Sequence, residues 1–347
     1  MHRRPEHSVR RRARGVALIT VILIVALAVL LTAGMVRRQH QALRHAEGLF
    51  SQDQALLYTA GAEAFARDLL ARDSEDDKRK GREVDSLGET WAKPLPPFPV
   101  EGGMLYAGIS DLQGRFNLNR LWRDNAADEE AMAIFRRLLT ALDLPEALAP
   151  ALRDWLDPDS EPDGIDGAED DFYTRLDVPY RAANRALADV SELRLVRGFT
   201  AEAVERLRPH VAALPANAGL NINTADATLL LALADTLSAS TARDLAENRP
   251  DKGYASAEEF LAEPVFNGLD QPAKTRLQGQ LAVQSGWFEL AVDADIGGRH
   301  SVLHAMLARD QSGTLRVTAR DFGRKFSRNS SKAEPPTLPA ATATEAP

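Results

Sequence analysis

Arg14-Gly15-Val16-Ala17-Leu18-Ile19-Thr20 opens a run that meets no further charge until Arg37, and the reading of that run decides the rest of the chain. Between those two arginines the polar side chains are Thr20 and Thr32. As an α-helix rising ~1.5 Å per residue, the run is roughly 30 Å long, about the hydrocarbon thickness of a bilayer. Ahead of it lie Arg3, Arg4, Arg10, Arg11, Arg12 and Arg14, against one acid, Glu6. That excess of positive charge predicts a cytoplasmic N-terminus, a transmembrane helix over 16–36, and export of everything after it. A cleaved secretory signal peptide has a shorter apolar core, roughly 7–15 residues, closed by a small-x-small site. Here Thr32-Ala33-Gly34 continues into Met35-Val36-Arg37-Arg38 without a turn.

A short basic leader ending in Gly, followed by a hydrophobic helix, resembles the signal of type IV prepilins and pseudopilins. The resemblance implies that a prepilin peptidase in the membrane removes residues 1–15 by cutting after Gly15. It also implies methylation of the new N-terminus, Val16. The usual pattern has Glu at the fifth mature position, where this chain has Thr20.

Composition suits a globular exported part of two ordinary domains, with 347 residues, 44% hydrophobic and 27% charged. The leader carries six Arg and one Glu, so its removal takes the net charge from −8 to −13. Such a balance opposes general phosphate binding. The absence of Cys excludes disulfides and thiolate metal sites.

No proline occurs between Pro5 and Pro94, so the membrane helix is free to continue. Leu43, Ala46, Phe50, Leu57, Ala60, Ala64 and Leu69 recur at helical spacing, and the charge run from Asp73 predicts an end near Arg72. Pro94 to Pro99 reads as a rigid extended connector. Gly103 to Asn119, Trp287 to Val292, Ser301 to Leu307 and Thr314 to Arg320 read as strands, with turns at Gly297-Gly298 and Ser312-Gly313. Together they predict an α+β domain with one antiparallel sheet covered by the long helix, its parts at 37–123 and 281–326. Between them the pattern is helical: 129–142, 144–155, 187–196, 201–214, 225–234, 240–248 and 257–262, with Ser191, Thr200 and Thr224 as N-caps. A helical domain over 124–280 is therefore predicted as an insertion. The tail, 327–347, is Ser, Pro, Ala, Thr and Glu in the main and reads as disordered.

The acidic stretch 154–171 is the most informative about chemistry. Two prolines and two glycines forbid a helix through it, so its carboxylates lie on a loop that doubles back. A bound Ca²⁺, taking 6–8 oxygens, would relieve their repulsion; a solvated acidic loop is the other reading. From Asp159 the spacing approaches an EF-hand, with Glu161, Asp163 and Asp170, but Pro162 and a final Asp depart from that motif.

Asn221-Ile222-Asn223-Thr224 and the helices after it resemble helix-hairpin-helix DNA-binding modules. Their phosphate-binding glycine hairpin is replaced here by Ala234 to Ser240, with an acid at the tip, so a packing role is expected and no nucleic-acid partner. No phosphate-binding Gly-Lys-Ser/Thr loop, Gly-x-Ser-x-Gly elbow or His-Glu-x-x-His pair occurs, and a non-enzyme is expected. His300 and His304 share one face of a strand and read as a surface pair without an acidic neighbour.

Taken in order, these pieces resemble the type II secretion system protein K family to about Gly323. The resemblance rests on Gly15 to Val21, Gly114 to Asn119, Asp154-Trp155-Leu156-Asp157-x-Asp159, Gly167-Ala168-Glu169-Asp170-x-x-Tyr173, Tyr180 to Asn184, Ser191 to Arg194 and Leu220 to Ala225. It implies a minor pseudopilin of the bacterial inner membrane, with its bulk in the periplasm. It further implies a tip complex with minor pseudopilins I and J, contacts with minor pseudopilin H and the major pseudopilin G, and a Ca²⁺-binding helical domain. The expected Ca²⁺ ligands are Asp157, Asp159, Glu161, Glu169 and Asp170. A membrane-anchored DNA-uptake protein is the alternative.

Overall fold

The computed structural model describes residues 9–323. The predicted disordered tail, 327–347, and the first part of the leader lie outside the described residues, as do the side chains of 9–15. One helix, α1 (Val9–Lys80), carries the apolar run and continues far beyond it. Within it an 18-residue window reaches a mean hydropathy of 3.1 with nothing packed over it, long and apolar enough to cross a membrane.

Two features of α1 differ from the sequence reading. The helix does not stop near Arg72. Nothing in 73–80 breaks it, and Lys78, Arg79 and Lys80 suit the negative end of the helix dipole. It stops at Gly81, which adopts φ 63° and turns the chain back through Gly81 N–H to Lys78 O and Arg82 N–H to Asp77 O. The second difference is the buried face. Leu43, Phe50 and Leu57 are exposed, while Ala55, Thr59, Ala62, Ala66 and Leu70 are buried. Spaced by 4, 3, 4 and 4, this second set is the stripe laid on the sheet. Small side chains allow that close approach.

The sheet begins with β1 (Phe98–Val100) inside the proline-rich connector and β2 (Gly103–Asp111). The chain then leaves it. Helices α2 (Glu129–Ala141), α3 (Leu148–Leu156), α4 (Ala201–Leu207), α5 (Ala227–Ala232), α6 (Ala239–Glu247), α7 (Ala257–Leu261) and α8 (Gln271–Gln278) follow. They surround one apolar core that includes Phe116, Phe135, Leu138, Leu152, Leu193, Leu229 and Phe260. The chain returns as β3 (Trp287–Ile296), β4 (Arg299–Arg309) and β5 (Leu315–Asp321), giving an antiparallel sheet in the order β1-β2-β3-β4-β5. Asp111 pairs with Phe288 and Gly103 with Ile296, so the strands on either side of the excursion are direct neighbours. The sheet's hydrogen bonding stops at Asp111 and resumes at Trp287. The excursion is thus wider at both ends than the 124–280 marked by helical patterning. Ala62, Ala66 and Leu70 of α1 meet Phe288, Leu290, Leu303 and Leu307 in the second core.

Inside the excursion several helices are shorter than periodicity predicts. Proline explains two of them: Pro145 delays α3 to Leu148, and Pro209 ends the segment after α4 before its apolar residues run out. The 187–196 segment is a single 3-10 stretch, Val190–Leu195, capped by Asp189 with Glu192 completing a capping box. Ser191 is therefore not the cap. Thr200 is, and Asp226 rather than Thr224 caps α5.

Candidate metal centre

Helix α3 ends at Leu156, and the acidic loop begins from its last turn. Asp154 is fully buried there and organises the loop: its carboxylate accepts from Asp163 N–H at 3.1 Å and Ala168 N–H at 2.7 Å. These two bonds draw the halves of the loop together, so that Glu169 returns beside Asp157. A side chain at Gly167 would run into Asp154 Oδ2 and the Asp163 backbone, so this crossing requires glycine. Arg153 pairs with Asp163 at 2.5 Å, and Arg197 donates to Gly167 O at 2.8 Å. Beneath lie Trp155, Tyr173 and Tyr180, with ring centroids 5.2–6.3 Å apart.

Three of the five residues expected as ligands converge. Asp157, Asp159 and Glu169 each offer an oxygen within 4.8 Å of the others. Glu161 is exposed and outside this group; its N–H instead closes a turn on Asp159 Oδ1 at 2.8 Å. Asp170 is engaged elsewhere, accepting from Ala182 N–H at 3.0 Å and lying 3.6 Å from Arg181.

The state of the converging oxygens is the informative observation. Both oxygens of Glu169 and Oδ1 of Asp157 are buried without a hydrogen-bond donor. Burial, then the charges of Asp154, Asp157, Asp159 and Asp170, push Glu169 up to about 8. Burial, then Asp159 and Asp154, push Asp157 up to about 6. Leaving such groups unpaired is costly, whereas a hard cation satisfies several at once. The residues present therefore fit Ca²⁺.

A further candidate escaped the sequence reading. Asn184 sits at φ 46°, donates from Nδ2 to Asp159 O at 3.0 Å, and leaves Oδ1 buried without a partner. An amide oxygen is an ordinary Ca²⁺ ligand, and the left-handed backbone is how it reaches the loop. The available signal was Asn itself in an otherwise apolar Ala182-Ala183-Asn184 run.

The Asn221 stretch and the two histidines make contacts within the fold. Asn221 Nδ2 donates to Asp85 O, Asp111 Oδ2 and Ser285 Oγ at 2.9–3.0 Å, and Thr224 Oγ1 donates to Asp111 Oδ2 at 2.6 Å, tying the excursion to the sheet. The hairpin between α5 and α6 is held by Arg137, which donates to the carbonyls of Ala232 and Leu233 and lies 3.4 Å from Asp235. No residue from Leu233 to Ser238 has positive φ, so the glycine-hairpin backbone is not reproduced. The histidines do have acidic neighbours: His300 Nδ1 lies 2.9 Å from Asp293, and His304 Nδ1 lies 3.3 Å from Glu289. Antiparallel pairing of β3 with β4 supplies both. Against the upward push of burial, His304 and Arg115 hold Glu289 at about 2.

The fold is thus an α+β domain with a long, partly apolar N-terminal helix, interrupted by a helical domain. Two family models described as type II secretion system (T2SS), protein K, match residues 114–216 and 220–284. Type II secretion system protein K of Pseudomonas aeruginosa is 39% identical over 90% of this chain and 94% of its own length. That of Pectobacterium carotovorum is 37% identical over 90% and 98%. A chain of the crystal structure of the GspK-GspI-GspJ complex from the enterotoxigenic Escherichia coli type 2 secretion system aligns with a TM-score of 0.73. It is 31% identical and covers 81% of this chain and 100% of that one. The chain belongs to the type II secretion system protein K family.

Proposed function

We propose that this chain is a non-enzymatic minor pseudopilin that sits at the tip of a periplasmic pseudopilus with minor pseudopilins I and J. There it supports export of folded proteins across the outer membrane. The observation that carries the reading is the likeness of 81% of this chain to a whole chain solved in complex with GspI and GspJ. In this reading the prepilin peptidase cuts after Gly15 and Val16 becomes the methylated N-terminus. Residues 16–36 anchor the chain in the inner membrane, with the bulk on the periplasmic side. Minor pseudopilin H and the major pseudopilin G lie below.

Thr20 supports a terminal position. In the described chain its hydroxyl donates to Val16 O at 2.7 Å, so its polar group is satisfied within its own helix. A buried Glu there would need a cationic partner from a neighbouring subunit. The excursion, a whole domain's worth of residues on each copy, supports the same place, because it would crowd a closely wound shaft. Asp157, Asp159, Glu169 and Asn184 hold a structural Ca²⁺ that locks the loop of the helical domain; the ion supplies charge neutralisation, not catalysis. Quantitative mass spectrometry of sheared pseudopili tests the reading. About one copy per filament, with I and J, is expected; a ratio to the major subunit near one to one would overturn it.

A further inference from the structure

The long helix ends in an acidic corner that the assembly role does not use. Asp73 and Asp77 stand one turn apart near the end of α1, and Glu89 returns to them after the Gly81 turn. One oxygen of each lies within 4.8 Å of the others. Local forces oppose this gathering, since like charges at i,i+4 repel and a helix C-terminus is the negative end of its dipole. The neighbouring cations are largely committed. Arg309 pairs with Asp85 and donates to Ser285 O, Lys78 donates to Ser312 O at 2.7 Å, and Arg79 pairs with Asp76. Lys80 and Arg309 reach the corner only at a distance, too weakly to offset burial.

Asp85 is a second observation, independent of the three. It is completely buried; Oδ2 takes the Ser285 N–H at 2.6 Å and the Arg309 guanidinium, and Oδ1 has no donor at all. Its neighbours on both sides touch the corner: Val84 N–H reaches Asp77 Oδ2 at 3.4 Å, and Ser86 N–H reaches Glu89 Oε2 at 3.2 Å. The Asp85 charge is felt by Asp73, Asp77 and Glu89 alike. Asp73 Oδ2 is likewise buried without a donor. Burial, then the neighbouring acids, push Asp73 up to about 7, and burial, then Asp73, does the same for Glu89. Unpaired buried oxygens surrounded by acids describe a site short of a cation.

We propose that Asp73, Asp77 and Glu89, backed by the buried Asp85, form a divalent-cation site that clamps the end of α1 to the 82–91 segment. Ca²⁺ is the ion that suits it, because irregular all-oxygen sets at a flexible chain crossing satisfy Ca²⁺ better than the strict octahedron of Mg²⁺. The site is separate from the 154–171 loop. It lies where Asp85 O accepts from Asn221, so the ion would stiffen the junction between the sheet and the helical excursion.

The test uses the full chain in detergent, with the loop silenced by Asp157→Asn and Glu169→Gln. Calorimetric titration should still find about one equivalent of Ca²⁺ bound. Adding Asp73→Asn and Glu89→Gln should weaken that binding at least roughly tenfold. In chelator, the corner variant should melt no lower than its parent, because its repulsion is removed; in Ca²⁺ the parent should melt higher. Terbium gives a readout without substitutions in the corner, since Trp91 donates to Glu89 Oε2 at 2.7 Å and would sensitise a bound lanthanide. Loop-silenced protein that binds no Ca²⁺, or shows no Ca²⁺-displaceable terbium emission through tryptophan, would overturn the proposal. So would unchanged affinity after the corner is neutralised. An unsilenced chain that binds the corner ion and no second one would count against the loop site and support the corner.

Discussion

Lowering the pH from 8 to 6 should weaken Ca²⁺ binding at the 154–171 loop by about 100-fold. The two carboxyls that converge there are pushed up to about 8 for Glu169 and about 6 for Asp157, and Ca²⁺ must displace whatever proton each holds. At pH 8 Glu169 is half protonated, a cost of about twofold; at pH 6 it is protonated all but one time in about 100. Asp157 adds about another twofold at pH 6. At fixed Ca²⁺ that ratio is worth about 2.7 kcal/mol of stabilisation. Folding of the ion-free chain carries the same shifts with the opposite consequence. Both carboxyls bind protons more tightly folded than unfolded, so the stability they contribute is complete below their ordinary values of 4.5 and 3.8. It is lost as the pH rises through about 6 and then about 8. Chelated protein should accordingly melt lower at pH 8 than at pH 6, and Ca²⁺ should raise the midpoint most at pH 8. Calorimetric titrations of the full chain in detergent at pH 6, 7 and 8 measure the affinity directly. Glu169→Gln should flatten the profile along with weakening binding. Equal affinity at pH 6 and pH 8 would refute the assignment of Glu169 as a ligand.

Three further outcomes are expected. Gly15→Val should leave the precursor uncut and secretion lost, read as intact mass by mass spectrometry; a variant trimmed to the mature mass and secreting normally would reject the processing site. Gly167→Ala should cost about 1–3 kcal/mol by overpacking and lower Ca²⁺ affinity, because the added carbon meets Asp154 Oδ2 and Asp163; an unchanged melting midpoint would show that the loop does not need this crossing. Duplex DNA should bind at Kd ~10⁻⁴ M or weaker at physiological salt, and sub-micromolar, salt-sensitive binding would revive the DNA-uptake reading.

The parts of the fold that local sequence encodes were legible in it. An uncharged run of spanning length names itself, and Gly297-Gly298 with φ 59° and 74° marks the β3–β4 turn by the only residue that adopts it freely. The excursion was legible because helical patterning sits between two stretches of strand patterning. The end of α1 was not, since the charged stretch after Arg72 looks like a loop, yet without a proline or glycine it has no reason to leave the helix. The loop's acidity pointed to a cation, but which carboxylates converge depends on Asp154, whose burial and backbone partners are tertiary facts. Asn184 offered only its residue type and the Asp73–Glu89 corner offered no pattern at all, because both are brought to their places by chain crossings that no spacing reports.

The buried stripe of α1 was misread because periodicity finds a helix face without saying what covers it. Leu43, Leu49, Phe50, Leu56, Leu57 and Phe65 are large, apolar and 41–72% exposed, while the sheet takes the alanines. In a subunit that acted alone this arrangement would be inverted, because burying a Leu or Phe is worth about 1.5–3 kcal/mol and alanine far less. The helix gives up that gain within its own domain. In return it lies close on the sheet, with Ala62 and Ala66 against Leu290 and Leu303, and keeps its large side chains outward along the segment that follows the apolar run. A face of that kind, continuous with the apolar run of 16–36, suits other helices of the same sort on both sides of the bilayer surface. The proposed tip position and helix packing are then compatible demands on one element. In the proposed tip position Thr20 closes its own hydrogen bond where no subunit sits above, and the outward leucines and phenylalanines are left free for neighbouring pseudopilins.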